Sequence, residues 1–295
     1  MLPMTAASMC DLIEAYTGNT TAGAALAHVN VGYARVLGGL IPGSVPPRSH
    51  IWSFTRPYAE ITLAATVTGT ATGVYDDDAE QTTITATTGI FCPEHDGDTI
   101  TVTDVGDLTI VDYTSSTVVV ADEGEDFEAK AVSLPTNGIY DLPADFGGLV
   151  NDLFYPNEDD DSESYIRTGA VERILALRRD NPDVGDPEQC AVAPKAFTAA
   201  TGQRWQLWVY PRPDAARIWR YRYNILPAAL TDAAVYCVGS PMIDLAVLYA
   251  AYASAEHDMA HKPGYYEQLF AQQLAGAIAA DARNVLYEPL STRYS

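Results

Sequence analysis

Apolar residues recur at helical spacing near both ends of the chain and at strand spacing through its middle. Between Thr5 and Tyr16, the positions Met9, Leu12, Ile13 and Tyr16 follow the i, i+3, i+4, i+7 rule and make one apolar stripe. Thr5 is the expected N-cap, and Thr17-Gly18-Asn19-Thr20 stops the helix. A second helix is predicted from about Ala22 to Leu40, with Leu26, Val29, Tyr33, Val36 and Leu37 on one side and Gly38-Gly39 and Pro42-Gly43 ending it. Asn30 lies close to that stripe, so its amide needs a partner, and a backbone group is the expected one. Helical spacing returns at Ala170–Asp180, with Thr168 as N-cap and Val171, Ile174, Leu175 and Leu177 as its apolar positions. It returns again at Pro241–Asp258, where Ser240 is the expected N-cap and Pro241 the first helical residue. Ala246, Ala250, Ala251, Ala253 and Ala255 there allow a neighbour to approach closely. A last helix is predicted from Tyr265 to about Asn284, after the break at Lys262-Pro263-Gly264.

Between residues 58 and 133 the composition shifts to Thr, Val, Ile, Gly and Asp, and alternation replaces the helical stripe. Strands are predicted at 59–68, 82–87, 99–104, 107–113, 116–120 and 127–132, which suits a small sandwich or barrel inserted into a helical protein. A second run of alternation covers Gln203 to Leu230, following a predicted strand at Gln189–Phe197. Trp205, Leu207 and Val209 alternate with Gln206 and Trp208, and Trp219, Tyr221 and Tyr223 alternate with Ile218, Arg220, Arg222 and Asn224. Pro211-Arg212-Pro213-Asp214 between them removes two amide donors, and this reads as one turn joining a hairpin. The fold class predicted is therefore α+β: a helical-bundle core made of N- and C-terminal helix pairs, a β-hairpin sheet, and an inserted all-β module. The domains predicted are a core of residues 1–57 and 134–295 and an insertion of residues 58–133.

Charge sharpens this picture. The formal net charge is −22, and from Asp76 to Glu163 there are 23 acidic residues against the single base Lys130. The excess thus sits in one middle segment, which repels nucleic-acid backbones and favours a solvated surface. The runs Asp76-Asp77-Asp78 and Asn157–Glu163 lack the glycine that a calcium loop needs at its sixth position, so no metal is expected. Cys10, Cys92, Cys190 and Cys237 are too scattered for a zinc site or a disulfide framework and read as isolated core residues. No apolar run reaches the length of a membrane span, and the N-terminus has no signal-peptide pattern, so synthesis and folding in a cytoplasm are expected. Nucleophile-elbow, phosphate-loop, dinucleotide and zinc-protease motifs are absent. The expectation is a non-enzyme without cofactor, and the one concentration of basic chemistry is Arg212, Arg217, Arg220 and Arg222. Arg220 and Arg222 share a strand face from which they can grip a partner's carboxylates.

Several segments carry a family resemblance. These are the run Leu207–Asp232, "LWVYPRPDAARIWRYRYNILPAALTD"; the N-terminal helix pair with "VNVGYARVLGG"; "HIWSF" at 50–54; "YDLPADF" at 140–146; and the Ala-rich helix, Pro-Gly break and Tyr-rich helix ending "AADARN". Together they resemble the head-to-tail adaptor (connector) proteins of tailed bacteriophages, over residues 1–55 and 138–290. In that family "HIWSF" corresponds to a short strand. The resemblance implies a virion location at the head–tail neck and a ring, a dodecamer in that family. It also implies the portal protein and a downstream tail or neck protein as partners, with genomic DNA passing through the lumen unread. The candidate partner-contact residues are the four hairpin arginines, Arg283 near the end of the last predicted helix, and Tyr287, Arg293 and Tyr294 of the C-terminal arm. The alternative reading is a binding module that uses the β insertion to meet carbohydrate or another structural protein, which requires an exposed aromatic cluster on it.

Overall fold

A computed structural model of the chain describes residues 3–21, 23–39, 49–122, 124–154, 165–180, 184–231, 233–259 and 264–285. The predicted charge run 157–163, the Pro42-Gly43 helix stop, the Lys262-Pro263 break and the arm residues Tyr287, Arg293 and Tyr294 lie outside the described residues. The chain divides into two compact units, Met1–Pro57 with Tyr223–Ser295, and Tyr58–Arg222.

The first unit holds four helices: α1 (Ala6–Thr17), α2 (Ala24–Leu37), α4 (Asp244–Asp258) and α5 (Tyr265–Val285). α1 starts where the cap predicts, since the Thr5 hydroxyl accepts from Ser8 N at 3.2 Å and Thr5 N donates to Ser8 Oγ at 2.9 Å. Met9, Ile13, Val29, Val36, Val247, Ala250 and Leu274 bury completely in one shared core. Asn30 finds its backbone partner 200 residues away: its Nδ2 donates to Leu230 O at 3.1 Å, and Leu230 N donates to its Oδ1 at 2.7 Å. The Ser240–Pro241 start predicted for α4 is three residues early, because Ser240 Oγ bonds the carboxylate of buried Asp244 at 2.7 Å instead of capping backbone. The Trp-Ser-Phe segment is a 3₁₀ turn (Ser53–Thr55) and no strand. Trp52 is buried and donates Nε1 to Val36 O, and Asp281 of α5 fixes the turn by accepting from His50 Nε2, Ser53 N and Ser53 Oγ.

The second unit carries β1 (Tyr58–Leu63), β2 (Thr66–Asp76), β3 (Gln81–Ala86), β4 (Thr99–Val102), β5 (Gly106–Ser115), β6 (Val118–Asp122) and β7 (Phe127–Pro135). The run read as one strand at 59–68 is two, and β2 continues eight residues beyond its predicted end. β2-β3-β6-β5-β4-β7 close into an antiparallel barrel. Alternation is strict where the sequence shows it: Thr82, Ile84 and Ala86 point inward, Gln81, Thr83 and Thr85 outward. Ile84, Ile100, Ile110 and Val119 are fully buried in the barrel core.

Further along come β8 (Ile139–Asp141), β9 (Phe146–Leu149), β10 (Leu153–Phe154), β11 (Tyr165–Thr168), α3 (Val171–Asp180), β12 (Val184–Gly185), β13 (Gln189–Pro194), β14 (Trp205–Tyr210), β15 (Arg212–Pro213) and β16 (Arg217–Ile225). Thr168 belongs to β11 and bonds Asp152, so it does not cap α3. A second sheet has the order β1-β16-β10-β11-β13-β14-β8, with β9 also on β16.

This topology overturns two expectations. The helical-bundle core is not what the chain builds. Strand residues outnumber helical ones, five short helices stand against sixteen strands among the described residues, and two large β systems dominate. The α+β label survives, but the sheet is a main layer and no appendage of helices. The hairpin also fails: β14 pairs with β13 and β8, β16 pairs with β1 and β10, and three strands separate them. The physical reason lies in the connection. Arg212-Pro213 is itself recruited to pair in parallel with Val184-Gly185, which carries the chain away from β14 before β16 begins.

Candidate partner-binding site

The arginines singled out in the sequence separate into two settings. Arg220 and Arg222 lie on the outer face of β16, opposite Glu60 and Tyr58 of β1 in the antiparallel register. Trp219, Tyr221 and Tyr223 on the inner face bury and hold the strand in place. Arg220 Nε donates to Glu60 Oε1 at 2.7 Å, and the Arg222 guanidinium stands 5.4 Å over the Tyr58 ring. Arg217 donates Nε to Asp186 Oδ1 at 2.8 Å and reaches Asp214 at 3.6 Å. With Tyr58 61% and Ile218 47% exposed, this strip combines arginine, tyrosine and an aliphatic side chain at the surface, the composition that protein interfaces favour. The chain supplies its own carboxylates to Arg217 and Arg220, so a partner would have to compete with Asp186 and Glu60. Arg283 lies on the exposed side of α5, with its Nε on Ala279 O.

Arg212 is elsewhere. It is 4% exposed, and its two Nη atoms form a fork onto Asp98 at 2.5 and 2.8 Å, between the second sheet and the turn Pro93–His95 of the barrel. The Asp98 carboxylate holds the guanidinium above its usual pKa. Arg212 therefore ties the barrel to the sheet and is not presented to a partner.

Beside it sits Arg178, which sequence reading passed over. Ile174 and Arg178 are four apart on α3 and share the face that packs on β13 and β14, with Ala191, Tyr210 and Trp208. That placement carries Arg178 inward to 6% exposure, while Arg179 stays at the surface. Arg178 Nη2 donates to Gly138 O and Val209 O, both at 2.8 Å, and the guanidinium stands 5.4 Å from the Trp208 ring. Gly138 permits this: its φ is +66°, and a Cβ there would stand 2.6 Å from Nη2. Burial lowers the pKa of Arg178, with the nearby Glu94 opposing. A cleft of about 470 Å³ opens here, walled by Arg178, Arg179, Arg212, Glu94, Asp96 and Leu175.

The binding-module alternative asks for exposed aromatics on the barrel. Phe91 and Phe127 are buried in its core and Tyr113 packs against it, leaving no aromatic cluster at its surface among the described residues. No group of three or more metal-ligating side chains occurs among the described residues, and no helix there is long and apolar enough to cross a membrane.

A barrel, a second sheet and a set of helices make this an α+β protein among the described residues. The model of the SU10 adaptor protein family matches residues 94–293, and the chain belongs to that family. It is thus a phage structural adaptor protein and a component of the virion. The match begins inside the barrel and so takes in residues that the resemblance in the sequence left out. A search of curated proteins finds no match.

Proposed function

We propose that this protein is the head-to-tail adaptor of a tailed phage, forming a ring that joins the portal to the tail or a neck protein. The observation that carries the reading is the family match over residues 94–293, which runs through strands, helices and most of the C-terminal segment. Head-to-tail contacts between identical copies generate a closed ring when their rotation closes, and the resemblance puts twelve copies in it. The work is mechanical: copies pack side by side, and the arginine and tyrosine strip on β1 and β16 supplies one contact face. A net charge of −22 suits a wall along which DNA passes without adhering. Imaging of purified virions, with this chain located by difference against particles lacking it, tests the proposal. A ring between portal and tail is the expected result. Location on the capsid surface or at the tail tip would overturn it and favour the binding-module reading.

A further inference from the structure

We infer that α2 of one copy of this chain docks against α5 of the next copy, so that the helical unit supplies a heterologous subunit contact. The inference rests on the ring reading for its closure and adds a second contact face to the strip on β1 and β16. The outward residues of α2 are Ala27, Val31 and Ala34, which follow i, i+4, i+7 and form one stripe ending at Gly38. Val31 is 46% exposed, and with alanines one turn away on either side it stands up as a single ridge. The polar side chains beside the stripe are turned onto their own chain. His28 Nδ1 lies 3.0 Å from Ser254 Oγ, Asn30 is held by the Leu230 backbone, and Arg35 pairs with Glu267 and stands over the Phe270 ring. None of them meets what would cover Val31.

α5 has the complementary shape. Gln272, Ala275, Gly276 and Ala279 are all exposed and stand at i, i+3, i+4, i+7, the four positions that frame a hole for one knob of a facing helix. A Cβ on Gly276 would meet nothing within 4 Å, so the middle of that hole is open. Small residues there let two helices approach to roughly 8–10 Å between axes. Charge selects the same two faces. Each copy carries a formal net charge of −22, so copies repel except where the surfaces that meet are free of carboxylates. The outward residues of α5 from Gln268 to Ala282 carry no charge, and those of α2 carry none either. The two helices also lie on different flanks of α4: Gly32 of α2 approaches Val247 and Ala251, whereas Tyr266 of α5 stacks on Tyr249 and Tyr252. A ridge on one flank and a hole on another make a contact that repeats from copy to copy in one direction.

The experiment uses virions carrying the full-length chain with Val31→Cys and Ala275→Cys together. They are oxidised mildly and run on non-reducing denaturing gels, beside wild type and each single variant as controls for the four native cysteines. A ladder of covalent multimers longer than dimers from the double variant, and none from either single variant, is the expected result. Val31→Glu and Ala279→Glu place a carboxylate on the ridge or in the hole. Both positions are exposed, so each purified variant should melt like wild type yet be lost from virions. Absence of the ladder from particles that contain the double variant overturns the proposal. So does dimer formation by Val31→Cys alone, which marks a two-fold contact of α2 with α2, or incorporation of Val31→Glu at the wild-type level. Imaging separates this failure from that of the ring reading. A ring seen without the ladder refutes only the α2–α5 contact, and a ladder without a ring between portal and tail refutes only the location.

Discussion

Replacing Gly32 with alanine sets helix propensity against packing, and the two predict opposite signs. Propensity alone favours the change by about 0.8–1.0 kcal/mol, since glycine is the costlier residue in a helix interior. The structure says otherwise. A Cβ on Gly32 would stand 2.5 Å from Val247 O, 2.9 Å from Ala251 N and 3.3 Å from Ala250 Cβ. The first two are backbone atoms of α4, so no rotamer change relieves them. α2 must withdraw by roughly 1 Å, and gaps of that size forfeit a quarter to a half of each contact's dispersion energy. Overpacking of this kind costs about 1–3 kcal/mol, with the upper range expected where backbone must move. The net expectation is a loss of about 1–2 kcal/mol once the propensity gain is subtracted. Gly276→Ala is the matched control: it lies in α5 with nothing within 4 Å of its added methyl, so it should gain the propensity term alone. Urea titrations followed at 222 nm report on both, because four of the five described helices share one unit. If Gly32→Ala raises the midpoint as Gly276→Ala does, the close approach of α2 to α4 is refuted.

Three further outcomes follow from the site geometry. Asp98→Ala leaves Arg212 buried without its carboxylate and should cost about 3–5 kcal/mol, whereas the double change Arg212→Met/Asp98→Leu should recover most of it; thermal melts of both decide. Burial pushes His95 below its usual 6.5, with Asp98 and Glu94 opposing and Arg212 assisting, so the folded protein resists a proton that the unfolded chain accepts. That contribution is fully present above about pH 6.5 and is lost as pH falls below it; stability measured from pH 7 to pH 5 should decline in the wild type and less steeply in His95→Gln. Burial also lifts the thiols, Cys190 to about 11 and Cys92 and Cys237 to about 12, so native protein at pH 8 should resist iodoacetamide while urea-unfolded protein reacts, and rapid native labelling of Cys92 would count against this.

What the sequence determined by itself is what local periodicity and local chemistry encode. The Thr5 cap, the span of α5, the alternation of Gln81–Ala86 and the inward set Trp219, Tyr221 and Tyr223 were legible because each depends on residues within a few positions. So were the need of Asn30 for a backbone partner and the confinement of the acidic excess to one segment. Tertiary structure alone decided which strands pair. Period two assigns a side chain to a face but not a strand to its neighbour, so β14 and β16 read as a hairpin although three strands stand between them. It also decided the fate of the arginines. Arg178 and Arg179 are adjacent and alike in sequence, and only the docking of the Ile174 face on β13 and β14 buries one and exposes the other. Arg212 lies within two residues of surface-seeking neighbours, yet a carboxylate 114 positions away draws it into the interior. Ion pairs between distant segments leave no periodic trace in the chain, because they depend on which surfaces meet once both have folded.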